Sequence, residues 1–280
     1  LDSVEDIAAL WDLLYEASLP YGRKGVAIMA LSGVDLALWD ALGKAEGAPV
    51  YALLGGIRKK RVRAYASGED IAWYHELGFT AHKFFSRWNG SDSVYDEAVA
   101  SAALSRKTFG PDALIMVDSY MTWDAAMTLE MARRLAEYGL YWFEDVLSPD
   151  KLDEQAALRS QVMPVLIAGG EHEFTDHGYM EIARAGALGL WQPDVTWCGG
   201  ISEIKKMATL SETYYVPISP HDASGPINVL AGAHAMASVP NHFRVETSRA
   251  TLHAYDVFTD HPLDIRGDKI YLSDRPGLGI

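Results

Sequence analysis

Eight short apolar runs recur along the chain, each bounded by Gly, Pro or Ser and each followed by a stretch with helical spacing. They are residues 62–67 (VRAYAS), 81–86 (AHKFFS), 113–119 (ALIMVDS), 140–146 (LYWFEDV), 164–171 (PVLIAGGE), 188–195 (LGLWQPDV), 216–222 (VPISPHD) and 242–247 (HFRVET). The intervening stretches read as amphipathic helices. In Trp123–Tyr138, for example, Met127, Met131 and Leu135 fall on one face, and Gly139 supplies a C-terminal stop. Strand and helix alternating at this pitch predict parallel strands, and eight of them close into an α/β fold of the (β/α)8 TIM-barrel type. An open doubly wound sheet is the competing arrangement, but no phosphate-binding Gly fingerprint follows the first run.

The ends of the chain fall outside this rhythm. Residues 1–55 read as two helices, an acidic one followed by Val26–Leu42 that stops at Gly43, and the tail from about Phe258 is turn-rich with short strands. The expected division is therefore 1–55 as a helical lead-in, 56–250 as the barrel and 251–280 as a C-terminal segment.

Composition narrows the class. With 49% apolar and 22% charged residues the chain is an ordinary globular one, and 280 residues bury enough surface to need no covalent staples. The net charge of −14 and the lack of any basic stretch beyond Arg58, Lys59, Lys60, Arg61 and Arg63 argue against nucleic acid as a partner, so that run reads as solvated surface. Cys198 is the single cysteine and has no internal disulfide partner, which fits a reducing cytoplasm. No run approaches the ~18 consecutive apolar residues of a bilayer span, so no membrane role is expected, and no signal peptide is visible. A homo-oligomer acting on a small molecule is expected.

Active sites of such barrels form at the C-terminal ends of the strands. Six polar residues stand there in turn: Asp118, Glu144, Glu171, Asp194, His221 and Glu246, at intervals of 23 to 27 residues. Three carboxylates on neighbouring strands, Asp118, Glu144 and Glu171, converge where unpaired negative charge is costly, so a cation is the simplest compensation. All-oxygen ligation suits Mg2+ or Mn2+ better than Zn2+. Asp194 at the height of His221 on the adjacent strand can fix the imidazole tautomer, leaving the second ring nitrogen free as a base.

A metal beside one base points to proton abstraction next to a carboxylate, because the charge that develops on the carboxylate oxygens faces the cation. Return of the proton to carbon gives epimerisation, racemisation or cycloisomerisation; delivery to a β-hydroxyl expels water. A single histidine suits same-face dehydration. A metal-dependent hydrolase on the same type of barrel would recruit several His ligands, and a non-catalytic metal-binding barrel would be expected to have lost a ligand or the base.

The stretches VDLALWDALGKAEGAPVYALLGG, VDSYMTW, WFED, GGEH, QPDVTWCGGI, SPHDAS and DRPGLGI resemble the mandelate racemase branch of the enolase superfamily, and within it the L-rhamnonate dehydratase-like sugar-acid dehydratases. A Lys or His base beside Mg2+ is the familiar chemistry of that superfamily. The resemblance implies an enolase-like modified barrel with remnants of an α+β capping domain at both ends. It also implies Asp118, Glu144 and Glu171 as metal ligands, Asp194 with His221 as the acid/base dyad, and His172, Lys83 and Glu246 as substrate-binding residues. The sequence departs from the branch at three points. Phe85 stands where many relatives carry a second lysine base after Lys83, Asp222 follows the histidine where Gly is expected, and the larger part of the capping domain does not precede this segment. The cap chooses the substrate, so the particular sugar acid is not read from these residues.

Overall fold

The computed structural model describes residues 3–56, 61–261 and 263–280. Arg58, Lys59 and Lys60 of the basic run lie outside the described residues, while Arg61 and Arg63 are exposed on the first strand, as a solvated run requires.

The chain opens with α1 (Val4–Ser18), α2 (Val26–Ala45) and the short α3 (Val50–Leu53). Ser3 starts α1 through a capping box, its hydroxyl accepting from the Asp6 amide while the Asp6 carboxylate accepts from the Ser3 amide. The barrel strands follow as β1 (Arg61–Ser67), β2 (Ala81–Phe85), β3 (Leu114–Asp118), β4 (Trp142–Glu144), β5 (Leu166–Gly169), β6 (Leu190–Trp191) and β7 (Val245–Ser248). Helices α4 (Ile71–Glu76), α5 (Ser93–Phe109), α6 (Ala125–Leu135), α7 (Leu152–Gln161), α8 (Thr175–Ala185), α9 (Gly200–Thr213), α10 (Pro226–Ala237) and α11 (Arg249–Phe258) alternate with them. Strands β1 to β6 pair in sequence order, all parallel, and β7 pairs with β1.

The predicted strand at 216–222 is not continuous. Isolated parallel bridges join Trp191 to Ile218, Asp194 to His221 and Ile218 to His242, and these close the ring between β6 and β7. Pro217 and Pro220 each remove a ladder donor, so the pairing rests on the amides between and beyond them, as when Ser219 donates to the Trp191 carbonyl at 2.8 Å and His221 to the Pro193 carbonyl at 3.1 Å. The helix predicted at Trp123–Tyr138 begins instead at Ala125, where the Asp124 side chain caps the Met127 amide, and its last turn tightens to a 3-10 helix over Ala136–Tyr138.

Inside the barrel one residue from each successive strand builds an apolar plug: Tyr65, Ala81, Met116, Trp142, Ala168 and Leu190, with Phe243 packed against it. Outside, the larger core lies between strands and helices. Helix α2 is long and apolar enough by length and composition to cross a bilayer, although Ser32, Gly33, Asp35 and Asp40 interrupt its apolar run. Here it is a packing helix, with Ile28, Leu31, Leu36, Trp39 and Leu42 buried and Trp39 Nε1 donating to Ser202 Oγ on α9 at 3.0 Å.

The tail returns to both ends of the chain's early structure. β8 (Ile265–Arg266) and β9 (Lys269–Tyr271) form a hairpin that adds antiparallel to β1, and beyond it the Val50 amide donates to the Gly277 carbonyl at 2.9 Å. Gly43 permits that approach, since a Cβ there would lie 2.7 Å from the Gly277 Cα.

Candidate active site

Strand alternation sets the site directly on the apolar plug. Lys83, Asp118, Glu144 and Gln192 stand two residues beyond Ala81, Met116, Trp142 and Leu190, on the same inward face and one layer nearer the C-terminal mouth. The register places Asp118 directly opposite Glu144.

Lys83 sits at the centre of this layer. Its side chain is 1% exposed, and its ammonium bonds Glu144 Oε1, lies 2.9 Å from Glu246 Oε1 and 3.7 Å from Asp118 Oδ2. The second oxygen of Glu144 accepts from Trp142 Nε1 at 2.8 Å and Gln192 Nε2 at 2.6 Å. Glu246 Oε2 accepts from the Tyr65 hydroxyl at 2.9 Å and from the Asp222 amide at 3.2 Å. Burial pushes the Glu144 carboxyl up to about 8, with Asp118 and Glu246 adding to the rise and Lys83 opposing it. Burial likewise raises Asp118 and Glu171. These acids are short of positive charge, and their hard oxygen donors fit a divalent cation of the Mg2+ type.

Glu171 gathers with a different set. His172 Nε2 lies 3.3 Å from Glu171 Oε1 and 3.3 Å from Asp145 Oδ2. Among the described residues, Asp145, Glu171 and His172 are the group whose ligand atoms all fall within 4.8 Å of one another. The expected trio of Asp118, Glu144 and Glu171 thus shares one mouth but does not meet at that spacing: Asp118 and Glu144 face Lys83, whereas Glu171 faces His172 and His221. Asp145 escaped sequence reading, since alternation after Glu144 turns it away from the mouth. Its φ of +45° breaks that alternation and brings it back.

Asp194 and His221 come together as expected. His221 Nδ1 and Asp194 Oδ2 are 2.8 Å apart, and Asp194 Oδ1 accepts from the Thr196 amide at 2.8 Å and from its hydroxyl at 2.5 Å. The second ring nitrogen is not free: His221 Nε2 lies 3.2 Å from Glu171 Oε2. Burial alone would lower the His221 pKa, but Glu171, the hydrogen bond to Asp194 and Glu246 outweigh it and hold it well above the ordinary range. Trp197 packs between the two histidines, its ring centroid 6.0 Å from that of His172 and 5.3 Å from that of His221.

Sequence reasoning missed Asn228. It is 1% exposed, and its Nδ2 donates to Asp194 Oδ2 at 2.8 Å and to the His221 carbonyl at 3.2 Å. A lone Asn in the apolar α10 carries no periodic signal, so only the fold reveals which way it faces. Asp222, which departs from the expected Gly, turns out to close a loop: its carboxylate accepts from the Ser224 and Gly225 amides and from Thr251 Oγ1 at 2.6 Å.

A closed parallel barrel with buried acids and an Asp–His pair at its C-terminal mouth defines the class of barrels that combine a divalent cation with proton transfer. Residues 68–280 match the family described as enolase C-terminal domain-like, and residues 2–55 match the mandelate racemase / muconate lactonizing enzyme N-terminal domain. The chain belongs to this enolase-type mandelate racemase / muconate lactonizing enzyme family. It is 34% identical over 98% of its length to the arabinonate dehydratase of Saccharolobus solfataricus, of which it covers 75%. It is also 34% identical over 99% of its length to the L-rhamnonate dehydratase of Saccharopolyspora erythraea, covering 72% of that protein. The structure of rhamnonate dehydratase from Gibberella zeae complexed with Mg superposes with a TM-score of 0.89 at 34% identity, covering 98% of this chain and 69% of that one.

Proposed function

We propose that this chain carries out Mg2+-dependent dehydration of an aldonic acid to a 2-keto-3-deoxy acid. The observation that carries the reading is the Asp194–His221 hydrogen bond of 2.8 Å beside the buried acids of the mouth. Likeness to sugar-acid dehydratases, one of them complexed with Mg, supports it.

In this reading Asp118, Glu144 and Glu171 hold the ion, and residues 56–250 are the catalytic barrel, with 1–55 and 251–280 belonging to the cap. Mg2+ bound there supplies the charge that acidifies the proton next to the substrate carboxylate. His221, held in one tautomer by Asp194 and released by Glu171 when that carboxylate holds the ion, takes that proton from carbon 2. The same imidazolium then protonates the hydroxyl on carbon 3, which leaves as water. A positioned base of this kind contributes typically 10²- to 10⁴-fold. Phe85 stands where a second lysine base would return a proton to the opposite face, which favours dehydration over epimerisation. His172, with 33% of its side chain exposed at the mouth, contacts the substrate, while Lys83 and Glu246 act from beneath it.

The test is a sugar-acid library assayed for 2-keto products with and without a chelator. A 2-keto product that vanishes on chelation and returns with Mg2+ is expected. Solvent deuterium entering carbon 2 without loss of water would replace this reading with epimerisation.

A further inference from the structure

Lys83 contributes a fixed cation among the same carboxylates. We propose that Lys83 is a positioning residue that sets the divalent-metal affinity of the site, acting as a resident counter-charge that Mg2+ must oppose. This rests on the assignment of Asp118 and Glu144 as ligands.

Three observations lead there. The ammonium bonds Glu144 Oε1 and lies 3.7 Å from Asp118 Oδ2, so it addresses two of the three proposed ligands at once. It has no route to solvent, being 1% exposed, and the plug residues Met116 and Trp142 lie in the layer beneath it. Its third carboxylate, Glu246 at 2.9 Å, is itself pinned by the Tyr65 hydroxyl and the Asp222 amide. Lys83 therefore keeps its charge within a few ångströms of any ion that the acids take up. Glu246 retains the ammonium when Glu144 turns toward the ion.

Like charges held this close repel strongly in a buried site, so the lysine weakens metal binding while it stabilises the metal-free acids. Removing the charge should have opposite effects on the two. A Lys83→Met chain should bind Mg2+ more tightly and melt at a lower temperature without metal. A gain in affinity is informative because simple structural damage at a ligand cluster only loosens an ion.

The experiment is titration calorimetry of Mg2+ into the metal-stripped whole chain, with folding checked by circular dichroism. Wild type is compared with Lys83→Met, Lys83→Gln, Lys83→Arg and Asp118→Asn. The expected result is binding about tenfold or more tighter in the two neutral variants and within about threefold of wild type in Lys83→Arg. Lys83→Gln serves if Lys83→Met does not fold. Folded neutral variants that bind Mg2+ equally or more weakly overturn the inference while leaving the ligand assignment intact, provided Asp118→Asn loses at least about tenfold in affinity. Unchanged binding in Asp118→Asn overturns both.

Discussion

Asp194 and His221 face each other twice, through a parallel backbone bridge and through a side-chain hydrogen bond of 2.8 Å. The backbone bridge fixes the separation of the two Cα atoms, so the side-chain bond needs no help from a flexible loop. Thr196 and Asn228 occupy the remaining acceptor sites of Asp194, which leaves the carboxylate one orientation. The proton transfer proposed for His221 would draw on that rigidity.

Replacing His221 with Asn should lower turnover by about 10²- to 10⁴-fold with little change in substrate affinity. Mg2+ binding by calorimetry should persist, which separates loss of the base from loss of the site. Full turnover in this variant would remove His221 from the mechanism.

Asn228→Ala withdraws one hydrogen bond from the buried Asp194. The expected cost is about 1–3 kcal/mol of folding stability, read from urea melts, together with a fall in kcat larger than any change in KM. Equal kcat in the two proteins would show that Asn228 serves only packing.

Glu171 joins two networks, with Oε1 3.3 Å from His172 and Oε2 3.2 Å from His221. Glu171→Gln should both weaken Mg2+ binding and reduce turnover, and excess Mg2+ should restore only part of the rate. Complete rescue by metal would confine Glu171 to ligation, with no influence on the imidazole.

Gly200 adopts a φ of +90°, and a Cβ there would sit 2.2 Å from Asp35 Oδ2. That carboxylate accepts from the Ser202 amide and hydroxyl and so ties α2 to the start of α9. Gly200→Ala should therefore cost on the order of 2–4 kcal/mol, from backbone strain plus a displaced buried network. A melting temperature within about a degree of wild type would mean that α2 shifts freely, contrary to this packing.

His82 and His234 are buried and both are lowered to about 4, chiefly by burial. The Tyr51 amide donates to His234 Nδ1 at 3.1 Å, so protonating that nitrogen breaks a bond. Because the folded pKa lies below the unfolded one, the unfolded chain binds more protons in between. Stability is then complete above about 6.5 and declines as pH falls toward 4, by on the order of 3 kcal/mol per histidine at most. Urea melts across that range should show the loss, and His234→Gln should flatten it. An unchanged slope would place the acid sensitivity elsewhere.

The barrel was legible in the chain because short apolar strands and amphipathic helices alternate at a steady pitch and the strands are bounded by Gly, Pro or Ser, which local chemistry alone enforces. The same pitch identified Asp118, Glu144, Glu171, Asp194, His221 and Glu246 as residues of one mouth, and the pairing of Asp194 with His221 followed from adjacent strands at equal height. Tertiary structure decided the rest. Which acids gather around Lys83 and which around His172 depends on side-chain charge in a buried layer, where each group responds to all the others at once. Asp145 reached the mouth through a left-handed backbone turn, and Asn228 reached Asp194 through the rotation of a helix. Neither leaves a periodic trace, because pattern records which face of an element is apolar, whereas a buried polar network records how several elements meet.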